Sequence, residues 1–142
     1  MSTNYPFQLQ ELSKNIYDDR YSLSCNESAC SLECVYRTVV NRSYYAAYSH
    51  AKIWAENHLN FDENIYFKKY RKEINNNIGR HQTLFTFIRR KAKEESHRIL
   101  ANKLQIIKSL RTIADYDFEN EITEKDARSS LRFANSVMTY LN

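Results

Sequence analysis

The fold class this chain predicts is all-α, an antiparallel up-and-down bundle of four to five helices, and three observations predict it. In 142 residues there is one Gly and one Pro, the residues that punctuate sheets and tight turns. Several segments place apolar side chains at alternating steps of four and three, the seam of a helix that faces a core. The hydrophobic share of 42%, with 7 Phe, 11 Tyr and 1 Trp, suffices for one core and not for two. Residues 1–142 therefore read as a single domain, with a short N-terminal helix at 7–18 and a core over 29–141.

The first helix covers Phe7 to Asp18, and the polar stretch from Tyr21 to Ser28 reads as a connection. A long second helix runs from Ala29 to Leu59. Within it Val35, Val39, Arg42, Ala46, Ser49 and Ile53 recur at steps of four and three, so Arg42 is expected to interrupt an inward seam. A helical piece from Glu63 to Ile74 comes next, then a loop over Asn75, Asn76 and Asn77. The following helix starts near Gly79, turns Leu84, Phe85 and Ile88 inward and ends in a basic cluster. From Glu94 to Asp117 another seam joins Leu100, Leu104, Ile107, Arg111 and Ala114. Thr123 and Asp126 have the form of a capping box with Asp in place of the usual Glu. Behind them Ala127, Leu131, Ala134, Met138 and Leu141 make the stripe of the last helix.

No run approaches the roughly 18 consecutive apolar residues of a membrane span. The first residues lack the basic and apolar regions of a signal peptide, so a cytoplasmic location is expected. Cys25, Cys30 and Cys34 are spaced as neither a disulfide framework nor paired zinc knuckles, and they read as packing thiols in a reducing compartment. Neither a metal nor another cofactor is expected. The net charge of +4 is clustered, with Lys68, Lys69, Arg71 and Lys72 in one run and Arg89, Arg90, Lys91 and Lys93 in another. With Arg80 and His81 between them, the two runs are able to form a positive rim that attracts phosphates.

Two arginines on apolar seams carry the functional argument. A guanidinium cannot lose its proton, so when desolvated it needs an anion or a set of acceptors. Asp115 is the nearest candidate, and a buried Arg42–Asp115 ion pair is expected. Tyr44 and Tyr48 lie one turn apart and share a helix face. They read either as core with hydroxyls at the rim or as a platform for a base, with Arg42 and Arg111 meeting phosphate.

These residues also stand in an ordered pattern: Arg42, Tyr44, Tyr45, Ala46, Tyr48 and Ser49; then His81; then Leu110, Arg111, Ala114, Asp115 and Tyr116; then an alanine-rich closing helix. Over roughly residues 35 to 141 the chain thereby resembles the HEPN domains of bacteria and archaea. These are small helical bundles often found beside nucleotidyltransferases, in toxin–antitoxin pairs and in phage defence. The resemblance implies a module linked to RNA or nucleotide binding, one component of a two-gene toxin–antitoxin or phage-defence system, with a nucleotidyltransferase or antitoxin as partner. It also implies a homodimer, for which Tyr-rich and Leu-rich faces on the second and last helices argue as well.

Ribonuclease members of that superfamily use an Arg-x4–6-His motif. Arg111 stands where that arginine belongs, but Tyr116 occupies the first histidine position, and tyrosine, with a pKa of about 10, is a poor base at neutral pH. His81 is the other candidate for proton transfer or phosphate contact. Arg90 and His97 satisfy the six-residue spacing upstream. The resemblance therefore supports two readings: a binding module without catalysis of its own, or a metal-independent endoribonuclease toxin using an Arg/His pair.

Overall fold

The computed structural model describes residues 4–24 and 31–141. Cys25, Cys30, most of the expected connection after Tyr21 and the expected start of the long helix at Ala29 lie outside the described residues. Within them are seven helices and no strand: α1 Tyr5–Asp18, α2 Arg20–Leu23, α3 Leu32–Leu59, α4 Glu63–Glu73, α5 Arg80–Lys91, α6 Glu95–Tyr116 and α7 Glu124–Tyr140. Four of them, α1, α3, α6 and α7, form the bundle, with α3 packed against the other three. The pair α4 and α5 is built onto one side, where α5 meets α6 and α3. The count exceeds four to five because the single turn α2 and the short α4 are separate elements.

Local chemistry accounts for the boundaries. Ser31, in extended conformation, caps α3 by accepting from the Cys34 amide, and Asp62 does the same for α4 through the Ile65 amide. α3 stops at Asn60, whose φ of 55° is left-handed, a conformation Asn tolerates better than most residues. Thr123 and Asp126 form the reciprocal capping box on α7.

The core runs through Val39, Val40, Tyr44, Ala47, Leu104, Ile107, Ala134 and Val137, all fully buried. Its small residues let helices approach closely, and two of the buried hydroxyls share one carbonyl. Ser13 of α1 and Ser43 of α3 both donate to the Val39 carbonyl, at 2.9 and 2.8 Å.

The seam expected on α6 is buried along its whole length, Arg111 included. The one expected on α3 is rotated. Arg42 is exposed, and Ser49 and Ile53 are half-buried. Because α1, α6 and α7 surround α3, its buried face is broad and also takes in Tyr36, Val40, Ser43, Tyr44, Ala47, Ala51 and Trp54. The adjacent line through Tyr36, Val40, Ser43 and Ala47 has the same spacing and carries no charge. Desolvating that line therefore costs far less than desolvating Arg42. The tyrosines of α3 that argued for a second copy, Tyr44 and Tyr48, are largely spent inside the fold. The large aliphatic side chains left exposed on α6 are Ile99 and Ile106, and Tyr116 is exposed at its end.

Candidate functional site

Where α3, α5 and α6 meet, aromatic and basic side chains converge. α3 supplies Tyr44, Tyr45 and Tyr48, the first turn of α5 supplies His81, and the C-terminal half of α6 supplies Lys108, Arg111, Asp115 and Tyr116. The Tyr44 hydroxyl meets His81 Nδ1 at 2.6 Å. The Tyr48 ring stacks on the imidazole with centroids 4.0 Å apart, and Tyr45 approaches it edge-on at 6.0 Å. The Arg111 guanidinium carbon lies 5.2, 5.6 and 5.8 Å from the ring centroids of Tyr44, Tyr45 and Tyr116.

Arg111 is poorly neutralised for so buried a cation. Only 10% of its side chain is exposed, and its ion pair with Asp115, Nη1 to Oδ2, is 3.6 Å long. Its Nε is buried without a partner. The Asp115 carboxylate faces Asn41, whose Nδ2 donates to Oδ1 at 3.1 Å and to Oδ2 at 3.0 Å. The expected pair of Arg42 with Asp115 is thus replaced: Asn41 and Arg111 take the carboxylate, and Arg42 lies on the outer face of α3. There Arg42 and Asn41 line a groove of about 530 Å³ together with Asp115, Tyr116 and Phe118. Tyr116 is 72% exposed. It stands at the surface beside the buried guanidinium.

The cluster reshapes its own titration. Burial, and then the positive charges of Arg111 and Lys108, hold His81 down at about 4. Burial pushes the Tyr44 hydroxyl up, partly offset by Arg111, and burial followed by Glu63 pushes Tyr48 up. Lys108 is lowered by burial and by Arg111. At neutral pH the site therefore holds a neutral imidazole, protonated phenols and a buried guanidinium. In the tautomer that accepts from Tyr44 at Nδ1, His81 carries its ring proton on Nε2, a hydrogen-bond donor. Donors and cations in a desolvated place suit an anion better than they suit proton abstraction.

The remaining expected site residues fall elsewhere. Arg80 leaves the cluster for Glu63 at 3.1 Å and Asn64 at 3.2 Å and covers the Phe67 ring. It bears on the site only through Glu63, which also accepts from the Tyr48 hydroxyl at 3.4 Å. Arg90 and His97 do not form a pair: the guanidinium covers Tyr70, while His97 packs edge-on against Trp54 beside Glu94. Sequence reasoning missed Asn41 and Lys108. Lys108 stands one turn before Arg111 on the same helix, a spacing that was open to view. It also edges a groove of about 390 Å³ lined by Asn75, Asn77 and Gln82. Asn41 gave no signal, because the register assigned to α3 put its neighbour Arg42 inward.

Among the described residues no group of three His, Cys, Asp or Glu side chains is placed to hold a metal ion, and no helix is long and apolar enough to cross a membrane. No family model, curated protein or solved structure matches this chain.

Proposed function

We propose that the chain is a HEPN-like helical module that binds RNA or a nucleotide by drawing a phosphate to Arg111, without cleaving it unaided. The observation that carries this reading is Arg111 itself: a guanidinium in the core with one long ion pair and an unpartnered Nε. A phosphate oxygen supplies what that cation lacks. The surroundings fit a nucleotide. Tyr116 and Phe118 expose their rings beside the site, offering stacking surfaces, and Lys108 connects the cluster to an amide-lined groove.

The weaker alternative is a metal-independent endoribonuclease in which Arg111 and His81 form the Arg/His pair across two helices. Their proximity around Tyr44 favours it. A histidine held at about 4 is a weak base at neutral pH, which argues against it. Membership of a two-gene toxin–antitoxin or phage-defence system, with a nucleotidyltransferase or antitoxin as partner, belongs to the same proposal and rests on the resemblance. So does the homodimer, which Ile99 and Ile106 on the open face of α6 support.

The test is fluorescence polarisation of a 3′-labelled, single-stranded RNA of about ten nucleotides. Wild-type protein is expected to bind in a salt-sensitive manner, Arg111→Met to lose binding, and the RNA to remain intact on a denaturing gel. Equal binding by Arg111→Met would remove the reading. Cleavage that disappears in His81→Ala would establish the alternative.

A further inference from the structure

We infer that Asn41 is a positioning residue that holds Asp115 off Arg111 and so keeps the guanidinium available to an incoming anion. The inference rests on the phosphate-binding reading of Arg111 and adds to it the device that keeps the site open.

Asp115 follows Arg111 by four residues, a spacing that lets helical ion pairs close. Where Glu precedes Arg in this chain they do close, Arg37 on Glu33 at 2.8 Å and Arg128 on Glu124 at 2.9 Å, whereas Lys52 and Glu56, in the reverse order, stand 3.9 Å apart. The Arg111–Asp115 distance is 3.6 Å although both side chains are more buried, at 10% and 25% exposure, where attraction is stronger. Asp is one methylene shorter than Glu and follows its arginine, the less favourable order in a helix. Yet its carboxylate is also turned away, with both oxygens within hydrogen-bonding distance of Asn41 Nδ2. Asn41 comes from a different helix, α3, and the α3–α6 packing fixes its amide.

The arrangement sets up a competition. If Asp115 swung fully onto Arg111, the carboxylate would serve as an internal substitute for a phosphate and the ligand would have to displace it. With Asn41 satisfying the carboxylate, Asp115 reaches Arg111 only at Nη1 and at 3.6 Å, and the Nε of Arg111 is without a partner. Asn41 and Asp115 also line the open groove beside Tyr116, whose ring lies 5.8 Å from the guanidinium carbon.

The experiment measures polarisation of the same labelled RNA with Asn41→Ala, Asp115→Asn, the double variant and Arg111→Met, each checked by thermal melting. Ala favours helix, so Asn41→Ala is expected to fold; Asn41→Ser replaces it if it does not. Asn41→Ala is expected to weaken binding about tenfold, the effect of roughly one closed ion pair. Asp115→Asn should bind at least as tightly as wild type, and the double variant should return to wild-type affinity, because the competing charge is gone. If Arg111→Met binds normally, the phosphate reading itself falls. If Arg111→Met loses binding but Asn41→Ala does not, the positioning role falls while the reading stands. A double variant as weak as Asn41→Ala, or a weakened Asp115→Asn, would equally overturn the inference, since Asn41 or Asp115 would then be touching the ligand or supporting the fold.

Discussion

Replacing Arg111 with methionine should make the protein more stable while removing the proposed anion site, and the size of the effect follows from the contacts. Three ring contacts at 5.2 to 5.8 Å would be lost, together about 1.5–3 kcal/mol. The 3.6 Å ion pair is long, and Asp115 is a quarter exposed and keeps its contacts to Asn41, so its loss costs about 1 kcal/mol, well below the roughly 3–5 kcal/mol of breaking a closed buried pair. Against this, a buried donor without a partner costs about 1–3 kcal/mol, and taking the charge out of water costs more. Replacing a whole buried ion pair by apolar chains is often stabilising by about 1–4 kcal/mol; here only the cation is removed, and the Asp115 left behind is a quarter exposed and held by Asn41, so little of that gain is lost to a stranded charge. Methionine is unbranched and fills the space the arginine stem leaves. The expected net gain is about 1 kcal/mol, a rise in melting temperature of about 3–4 °C for a domain of this size. Differential scanning calorimetry at pH 7 and moderate salt measures it. A fall corresponding to more than about 2 kcal/mol would show that Arg111 is a structural member of the core, and the phosphate argument would lose its foundation.

Two further outcomes follow from buried polar groups. His81 is held at about 4, against about 6.5 in an unfolded chain. Between those values the unfolded state binds more protons, so the His81 contribution to stability is fully present above about pH 6.5 and is lost as pH falls towards 4. Melting temperature should therefore drop more steeply from pH 7 to 4.5 in wild type than in His81→Asn; equal slopes would contradict the burial of the imidazole. Tyr70 is 1% exposed and its hydroxyl is buried without a partner, so Tyr70→Phe should raise stability by about 1 kcal/mol. A urea midpoint shifted downwards would reveal a partner for that hydroxyl.

The α6 seam and the capping box of α7 were legible because both are local. Spacing by four and three is written along α6, and Thr123 needs only a residue three positions on. That locality also put Arg111 in the core correctly. The register of α3 was not legible. A helix surrounded by three others presents several lines of equal periodicity, and only tertiary packing decides which are buried. The error on Arg42 followed directly, and with it the wrong partner for Asp115. His81, Tyr44, Tyr48, Arg111, Asp115 and Tyr116 were legible as a set, yet the roles of Asn41 and Lys108 were not. Those roles depend on which side of each helix faces the cluster.

A contact that no periodicity reveals explains how the site keeps its shape. Arg37 of α3 donates through Nη1 to the carbonyls of Ile113, Ala114 and Asp117 at 2.9, 3.0 and 3.1 Å, and through Nη2 to the Asn120 carbonyl at 2.6 Å. The last carbonyls of a helix have no partner within it; here a guanidinium from a neighbouring helix takes that of Ala114, shares that of Ile113 with the Asp117 amide, and gathers two more just beyond the end of α6. Glu33 holds the same Arg37 from below at 2.8 Å. Asp115 and Tyr116 lie between the clamped carbonyls, so the end of α6 cannot fray without breaking this fork. Asn41 stands four residues after Arg37 on α3, one turn on along the same face. One face of α3 therefore performs two tasks in succession: Arg37 fixes the backbone that carries Asp115, and Asn41 fixes the carboxylate itself. With both fixed, the incomplete neutralisation of Arg111 is a property of the fold and not of a wandering side chain, as the proposed binding of an anion in a preformed geometry requires.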